Sequence, residues 1–188
     1  AGAGNDSLKD SPTNGSASSG ADPGGSIVGN YCTWNPLNIA GGALSNGNLD
    51  LTNTGVGKKV GTIGVSSGKW YWEVTVTSAG DSMIGVMSPS KAANSSNYLG
   101  GISGEYGYWG SNGNKYTNAS SSAYGATYGN GDVIGVALDM DNGTLTYYKN
   151  GTSQGQAFSG LTGPLAPTAS ADGAGASMSL NAGQRPFQ

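Results

Sequence analysis

The stretch GDVIGVALDMDNGTLTYYKNG, Gly131 to Gly151, limits what this chain can fold into more than any other part of it. Ile134, Val136, Leu138 and Met140 fall on one face of an extended run, with Val133, Gly135, Ala137 and Asp139 on the other. Side chains of a strand alternate between its two faces, so a slip of one residue would expose the whole apolar set, and the register is therefore specified. Asp141, Asn142 and Gly143 are turn formers, and TLTYYK returns with Leu145 and Tyr147 set against Thr144, Thr146 and Tyr148. A β-hairpin follows, and Asn150-Gly151 turns the chain again.

The same grammar recurs elsewhere. TIGVSSGKWYWEVTVT sends Trp70, Trp72, Val74 and Val76 one way and Tyr71, Glu73, Thr75 and Thr77 the other. After Ala79-Gly80-Asp81, SMIGVM is short and apolar enough to pair antiparallel with that strand as a core strand, and Pro89 ends it. LSNGNLDLTN predicts two short strands about Asn46-Gly47, and EYGYWGSNGNKYTN predicts two about Asn112-Gly113. Met178 and Leu180 alternate with serines in a last strand, and no helix is needed anywhere. Many short strands joined by tight turns, with 35 glycines in 188 residues, predict an all-β, antiparallel two-sheet sandwich. Residues 1–30 are Gly-, Ser- and Asn-rich with almost nothing apolar to bury, so they read as a linker or assembly arm ahead of a sandwich over 31–188.

Composition narrows the function classes. Charged residues are 10% of the chain and the net charge is -3, which leaves no basic stripe for a phosphate backbone. Nucleic acid is not an expected partner, and without a run of 18 apolar residues neither is membrane insertion. The chain opens on Ala1, which suggests a processed product or a segment of something longer. Cys32 is the only cysteine, read as a small buried core residue. Trp34, Trp70 and Trp72 are likewise read as core.

Catalysis finds little to work with. There is no histidine, so a Ser-His nucleophile is excluded and Cys32 has no imidazole to activate it. Glycoside hydrolysis requires two carboxylates flanking a bond, whereas Glu73 and Glu105 are the only glutamates and no E-x-D-x-x-E motif occurs. Asp139 and Asp141 are explained by turn chemistry, and DMDNG lacks the spacing of a calcium loop. No G-x-x-x-x-G-K-[ST] loop is present. A non-enzyme with no cofactor and no metal site is the expectation. The candidate ligand-binding residues are Tyr98, Tyr106, Tyr108, Trp109, Asn112, Asn114 and Tyr116, because aromatic faces and amide groups together suit sugars without needing net charge. The competing reading is that these aromatics fill strand faces and the asparagines make turns.

Taken in order, GKWYWEVTV, GDVIGVALDMDNGTLTYYKNG, QAFSGLTGPLAPTAS and NAGQRPF resemble a SPRY domain over about Tyr31 to Phe187. The resemblance implies a bent, concanavalin-like two-sheet sandwich with partner-binding loops gathered at one end. NAGQRPF departs from the expected pattern, since Ala182 stands where an aromatic would precede the glycine. DSPTN, GNYCTWNPL, LSNGNLDLT and TIGVSSGKWYWEVTV further look like the SPRY segments of bacteriophage virion proteins. That likeness implies a tail or fibre module on the virion surface, extracellular, binding host-surface glycan or protein through the sandwich loops. The alternative it leaves open is a purely structural capsid-decorating or fibre-assembly module, an oligomer whose partners are other virion proteins or copies of itself.

Overall fold

The computed structural model describes residues 31–38, 42–55, 57–78, 80–94, 98–172 and 174–188. The expected arm of residues 1–30 lies outside them. Cys32–Gln188 forms a compact unit that holds every strand described. Its strands are β1 (Ala43–Ser45), β2 (Asp50–Thr54), β3 (Gly57–Val60), β4 (Lys69–Ser78), β5 (Asp81–Met87), β6 (Glu105–Trp109) and β7 (Asn114–Thr117). They continue with β8 (Ser120–Ala123), β9 (Val133–Asp139), β10 (Thr144–Lys149), β11 (Thr152–Phe158), β12 (Ala166–Asp172) and β13 (Ala174–Asn181). Two sheets form, one of seven strands in the order β1-β2-β13-β4-β9-β10-β11 and one of six in the order β3-β12-β5-β6-β7-β8.

The hairpin that dominates the sequence is β9–β10, with Leu138 opposite Leu145 and Val136 opposite Tyr147. On its other side β9 pairs with β4, which sets Trp72 against Val136 and Val74 against Ile134. These side chains are buried in one cluster between the sheets, with Leu51, Met178 and Leu180 from one sheet and Ile84 and Val86 from the other. Burying a side chain of this size is worth roughly 1.5–3 kcal/mol, so this face commits the register. The turn closes on Asp139, whose carboxylate accepts from Asn142 Nδ2 at 2.8 Å and Asn142 N at 3.0 Å and meets Lys69 at 3.2 Å. Those bonds, the Asn142 side chain first, hold the Asp139 carboxyl at a pKa of about 2. Asp141 Oδ1 accepts from Gly68 N at 2.7 Å, so both acids serve the turn.

Three expectations need correction. β5 does not pair with β4: it lies between β12 and β6 in the other sheet. The reason is visible in its faces, since β5 is apolar on both, whereas the neighbours of β4 share its alternation. Ile84 and Val86 face the interior while Met83 and Met87 face outward, under a second cluster with Val60, Leu99, Tyr116 and Ala166. A short 3₁₀ helix, Pro89–Asn94, follows β5, with Pro89 at its start where a missing N–H costs nothing. Trp70 is 45% exposed, because β13, which flanks β4, ends at Asn181 opposite Glu73 and leaves no strand beside the start of β4 on that side; its indole N–H donates to Ser67 O at 2.7 Å. Trp34, Trp72 and Cys32 are buried as expected. Ala182 is half-buried against the main core.

Candidate functional site

The seven aromatic and amide residues do not form one surface. Alternation along β6 splits them: Tyr106 and Tyr108 point into the sandwich, and Trp109 points to the outer face of the six-stranded sheet. Tyr108 is fully buried, its ring 5.0–5.2 Å from those of Tyr124, Tyr128 and Tyr147 and its hydroxyl donating to Ala126 O. Burial raises its pKa to about 12. Tyr106 sits edge-on to Phe158 at 5.2 Å, again inside. Asn112 accepts from Asn114 N at 2.9 Å, and Asn114 Nδ2 donates to Ser121 Oγ at 3.3 Å, so both organise the β6–β7 turn and its flank.

Tyr98, Trp109 and Tyr116 do meet. Tyr98 stacks on Trp109 at 6.3 Å and 19°, lies edge-on to Tyr116 at 5.3 Å, and shares a hydroxyl hydrogen bond with it at 3.2 Å. Asp81 accepts from the Trp109 indole. The three rings pin residues 98–104 to the sheet from one side, since edge and offset ring contacts are favourable beyond plain burial.

A buried ion pair pins the same segment from the other side. Lys58 Nζ lies 2.5 Å from Glu105 Oε1, with side-chain exposures of 1% and 0%. Glu105 Oε2 accepts from Gly100 N at 2.9 Å, Leu99 N donates to Ser170 Oγ at 3.0 Å, and Ala119 N donates to Gly100 O at 2.9 Å. Gly100 takes φ +93, and a Cβ there would stand 2.5 Å from Tyr116 O, so only glycine fits against the sheet. Nothing local in the sequence marks Lys58, because its partner is 47 positions away.

What this scaffold presents is an end of the sandwich. β4 begins where β9 ends, and β12 and β6 begin where β5 ends. The β3–β4 segment ties the two sheets together there: Val65 bridges Leu165, and Gly68 exchanges hydrogen bonds with Met140 and Asp141. Residues 61–68, 98–104, 140–143 and 159–165 therefore gather at one rim. Trp70, 45% exposed, and Ile102, 37% exposed, stand on it. Leu37, 86% exposed, follows Asn35, whose N–H donates to Val60 O at the same end of β3. Tyr71 and Phe187, 36% and 44% exposed, pack edge-on at 5.0 Å on the adjoining outer face. All five of the large exposed apolar side chains among the described residues thus cluster at or beside one end. The signal in the sequence was the position of Trp70 at the very start of its alternating run.

Glu73 and Glu105 occupy outer faces of different sheets, β4 in one and β6 in the other. Glu73 is buried under the chain's last residues, accepting from Tyr71 OH at 3.1 Å and Gln188 N at 2.9 Å. Burial, with the Glu73 charge second, lifts the Tyr71 hydroxyl to about 12. Among the described residues no three His, Cys, Asp or Glu side chains are placed to share a metal ion.

The comparisons with known proteins agree on the architecture and change the reading of its use. A family model described as the SPRY domain matches residues 69–185. The chain is 35% identical over 156 residues to the Ran-binding proteins 9/10 homolog of Drosophila melanogaster, covering 77% of this chain and 16% of that protein. It is 34% identical over 155 residues to Ran-binding protein 9 of Xenopus tropicalis, covering 77% and 28%, and 35% identical over 127 residues to Ran-binding protein 9 of Homo sapiens, covering 66% and 17%. It therefore spans under a third of the length of these curated relatives. Among solved structures, the SPRY domain of human HERC1 superposes with a TM-score of 0.66 at 24% identity, over 77% of this chain and 94% of that one, which speaks for the fold alone. The expected bacteriophage origin, the virion-surface location, the virion partners and the host-surface glycan or protein target are overturned, because the relatives are Ran-binding proteins of animals. Of the segments that suggested a phage protein, DSPTN lies outside the described residues, and LSNGNLDLT and TIGVSSGKWYWEVTV are strand and turn residues that the fold itself requires, so they carried the family but not its use. The chain belongs to the SPRY domain family.

Proposed function

We propose that this chain is a non-catalytic protein-recognition module that binds a partner protein through the rim formed by residues 61–68, 98–104, 140–143 and 159–165. The observation that carries this reading is the gathering of Leu37, Trp70 and Ile102, all exposed, at the one end where the loops of both sheets converge. Exposed apolar side chains grouped on loops over a rigid scaffold favour partner binding over isolated surface noise. Tyr98, Trp109 and Tyr116 serve recognition indirectly, by positioning the segment that carries Ile102. The absence of catalysis is supported by the placement of the two glutamates on opposite outer faces, too far apart in the architecture to flank one bond.

The relatives are named for binding Ran, which makes Ran the first partner to test. In this reading residues 1–30 are a linker to the sandwich of residues 31–188. Titrating Ran into the full chain by calorimetry should give saturable binding, and Trp70→Ala should weaken it by roughly thirtyfold, the loss expected of a central aromatic anchor. Binding by Ran that Trp70→Ala and Ile102→Ala both leave unchanged would remove the rim as the recognition surface. A chain that does not bind Ran at all would remove Ran as the partner.

A further inference from the structure

Five Asn-Gly pairs lie among the described residues, at 46–47, 112–113, 130–131, 142–143 and 150–151. The fold treats them differently. Asn150 is held at both ends of its amide, Nδ2 donating to Asp132 at 2.7 Å and Oδ1 accepting from Val133 N at 2.8 Å. Asn142 donates its amide to Asp139 at 2.8 Å. Asn112 accepts from Asn114 N at 2.9 Å, and the nitrogen of its glycine, Gly113 N, donates to Trp109 O at 2.9 Å. After Asn130 the glycine nitrogen is tied in the same way, Gly131 N donating to Val76 O at 2.8 Å. Asn46 is exposed, its side chain has no hydrogen-bond partner among the described residues, and neither has Gly47 N. Asn46 and Gly47 sit at φ 51 and φ 62 in the β1–β2 turn, and a side chain at Gly47 would meet nothing within 4 Å, so no neighbour crowds the approach.

We propose that Asn46 is a self-modifying site, converted to aspartate and isoaspartate in the folded protein ahead of the other four. The Gly47 backbone nitrogen attacks the Asn46 side-chain carbonyl carbon, losing its proton as the new C–N bond forms. The C–N bond to the side-chain amide nitrogen breaks, and ammonia leaves. The resulting five-membered imide then takes up one water, which opens either of its two carbonyls and yields aspartate or isoaspartate. No oxidant, reductant or second protein is needed. Either product adds one negative charge, in a groove of about 440 Å³ that Asn46 lines together with Asp50, Ser179 and Arg185. Arg185 is the only arginine of the chain. The isoaspartate product also inserts a methylene into the turn backbone, which alters the join between β1 and β2.

The test is peptide mapping by mass spectrometry of the full chain, held folded at mildly alkaline pH and sampled over days, beside an aliquot held in denaturant. Trypsin puts Asn46, Asn112 and Asn150 on separate peptides. Fragment ions resolve the two shared ones: Asn130 travels with Asn142, and Asn46 travels with Asn14-Gly15, which lies outside the described residues. In the folded sample Asn46 should gain the deamidation mass about tenfold faster than any of the other four, the factor that one net hydrogen bond is worth. In denaturant the five rates should converge, which shows that the fold sets the order. Asn112, Asn130, Asn142 or Asn150 reacting first in the folded chain, or Asn46 staying intact while the denatured aliquot converts, would overturn the proposal.

Discussion

Replacing Lys58 with alanine should cost the folded chain about 3–5 kcal/mol in urea unfolding, the range for breaking a buried ion pair by removing one partner. The size follows from where the surviving charge is left. Glu105 is fully buried at the start of β6, and with Lys58 gone its carboxylate would keep only the neutral donor Gly100 N among the side-chain contacts described. Replacing both partners, Lys58→Met with Glu105→Leu, should recover most of the loss, because a well-packed apolar pair in such a place is often neutral or better. The double variant should still bind more weakly, since Gly100 N then loses its acceptor and the segment carrying Ile102 loses an anchor. A loss below about 1 kcal/mol for Lys58→Ala, the range of exposed pairs, would mean that the pair is open to water.

The second large effect lies outside the stretch matched by the family model. Trp34 precedes residue 69, yet it is fully buried in the main cluster, bridges Gly61, and donates from its backbone N to Asn48 O at 2.9 Å. Trp34→Ala removes the largest fully buried side chain and leaves a cavity where the strand ends cannot close in, so a loss of about 3–5 kcal/mol is expected in the same assay. Deleting residues 1–30 should change stability by no more than about 0.5 kcal/mol if they are a linker. The two results together place the start of the sandwich. A harmless Trp34→Ala, or a deletion that unfolds the chain, would move it.

The parts of this fold that could be read from the sequence are those whose information is local. The β9–β10 hairpin, the β6–β7 hairpin and the alternation of Met178 and Leu180 each follow from spacing within a few residues. Sheet membership did not follow, because the short connection after β4 permits a hairpin as well as a crossing to the other sheet, and only the two-sided apolar character of β5 pointed to the crossing. Trp70 and Trp72 share a face by alternation, but exposure depends on where the neighbouring strand β13 stops, which no local pattern states. The Lys58–Glu105 pair and the rim that it supports join residues far apart in the chain. The partner class was the least legible of all, since Trp72, Val74 and Leu138 are buried in the core and would be needed whatever the rim binds.

Hydrogen–deuterium exchange of the full chain, alone and saturated with Ran, locates the recognition surface without any substitution. Exchange should slow in residues 61–68, 98–104, 140–143 and 159–165, with the exposed edge strand β8 and the β6–β7 turn unchanged. Protection confined to β8, to that turn, or to the outer face formed by β2, β13 and β4, with the rim unaffected, would contradict recognition at the rim.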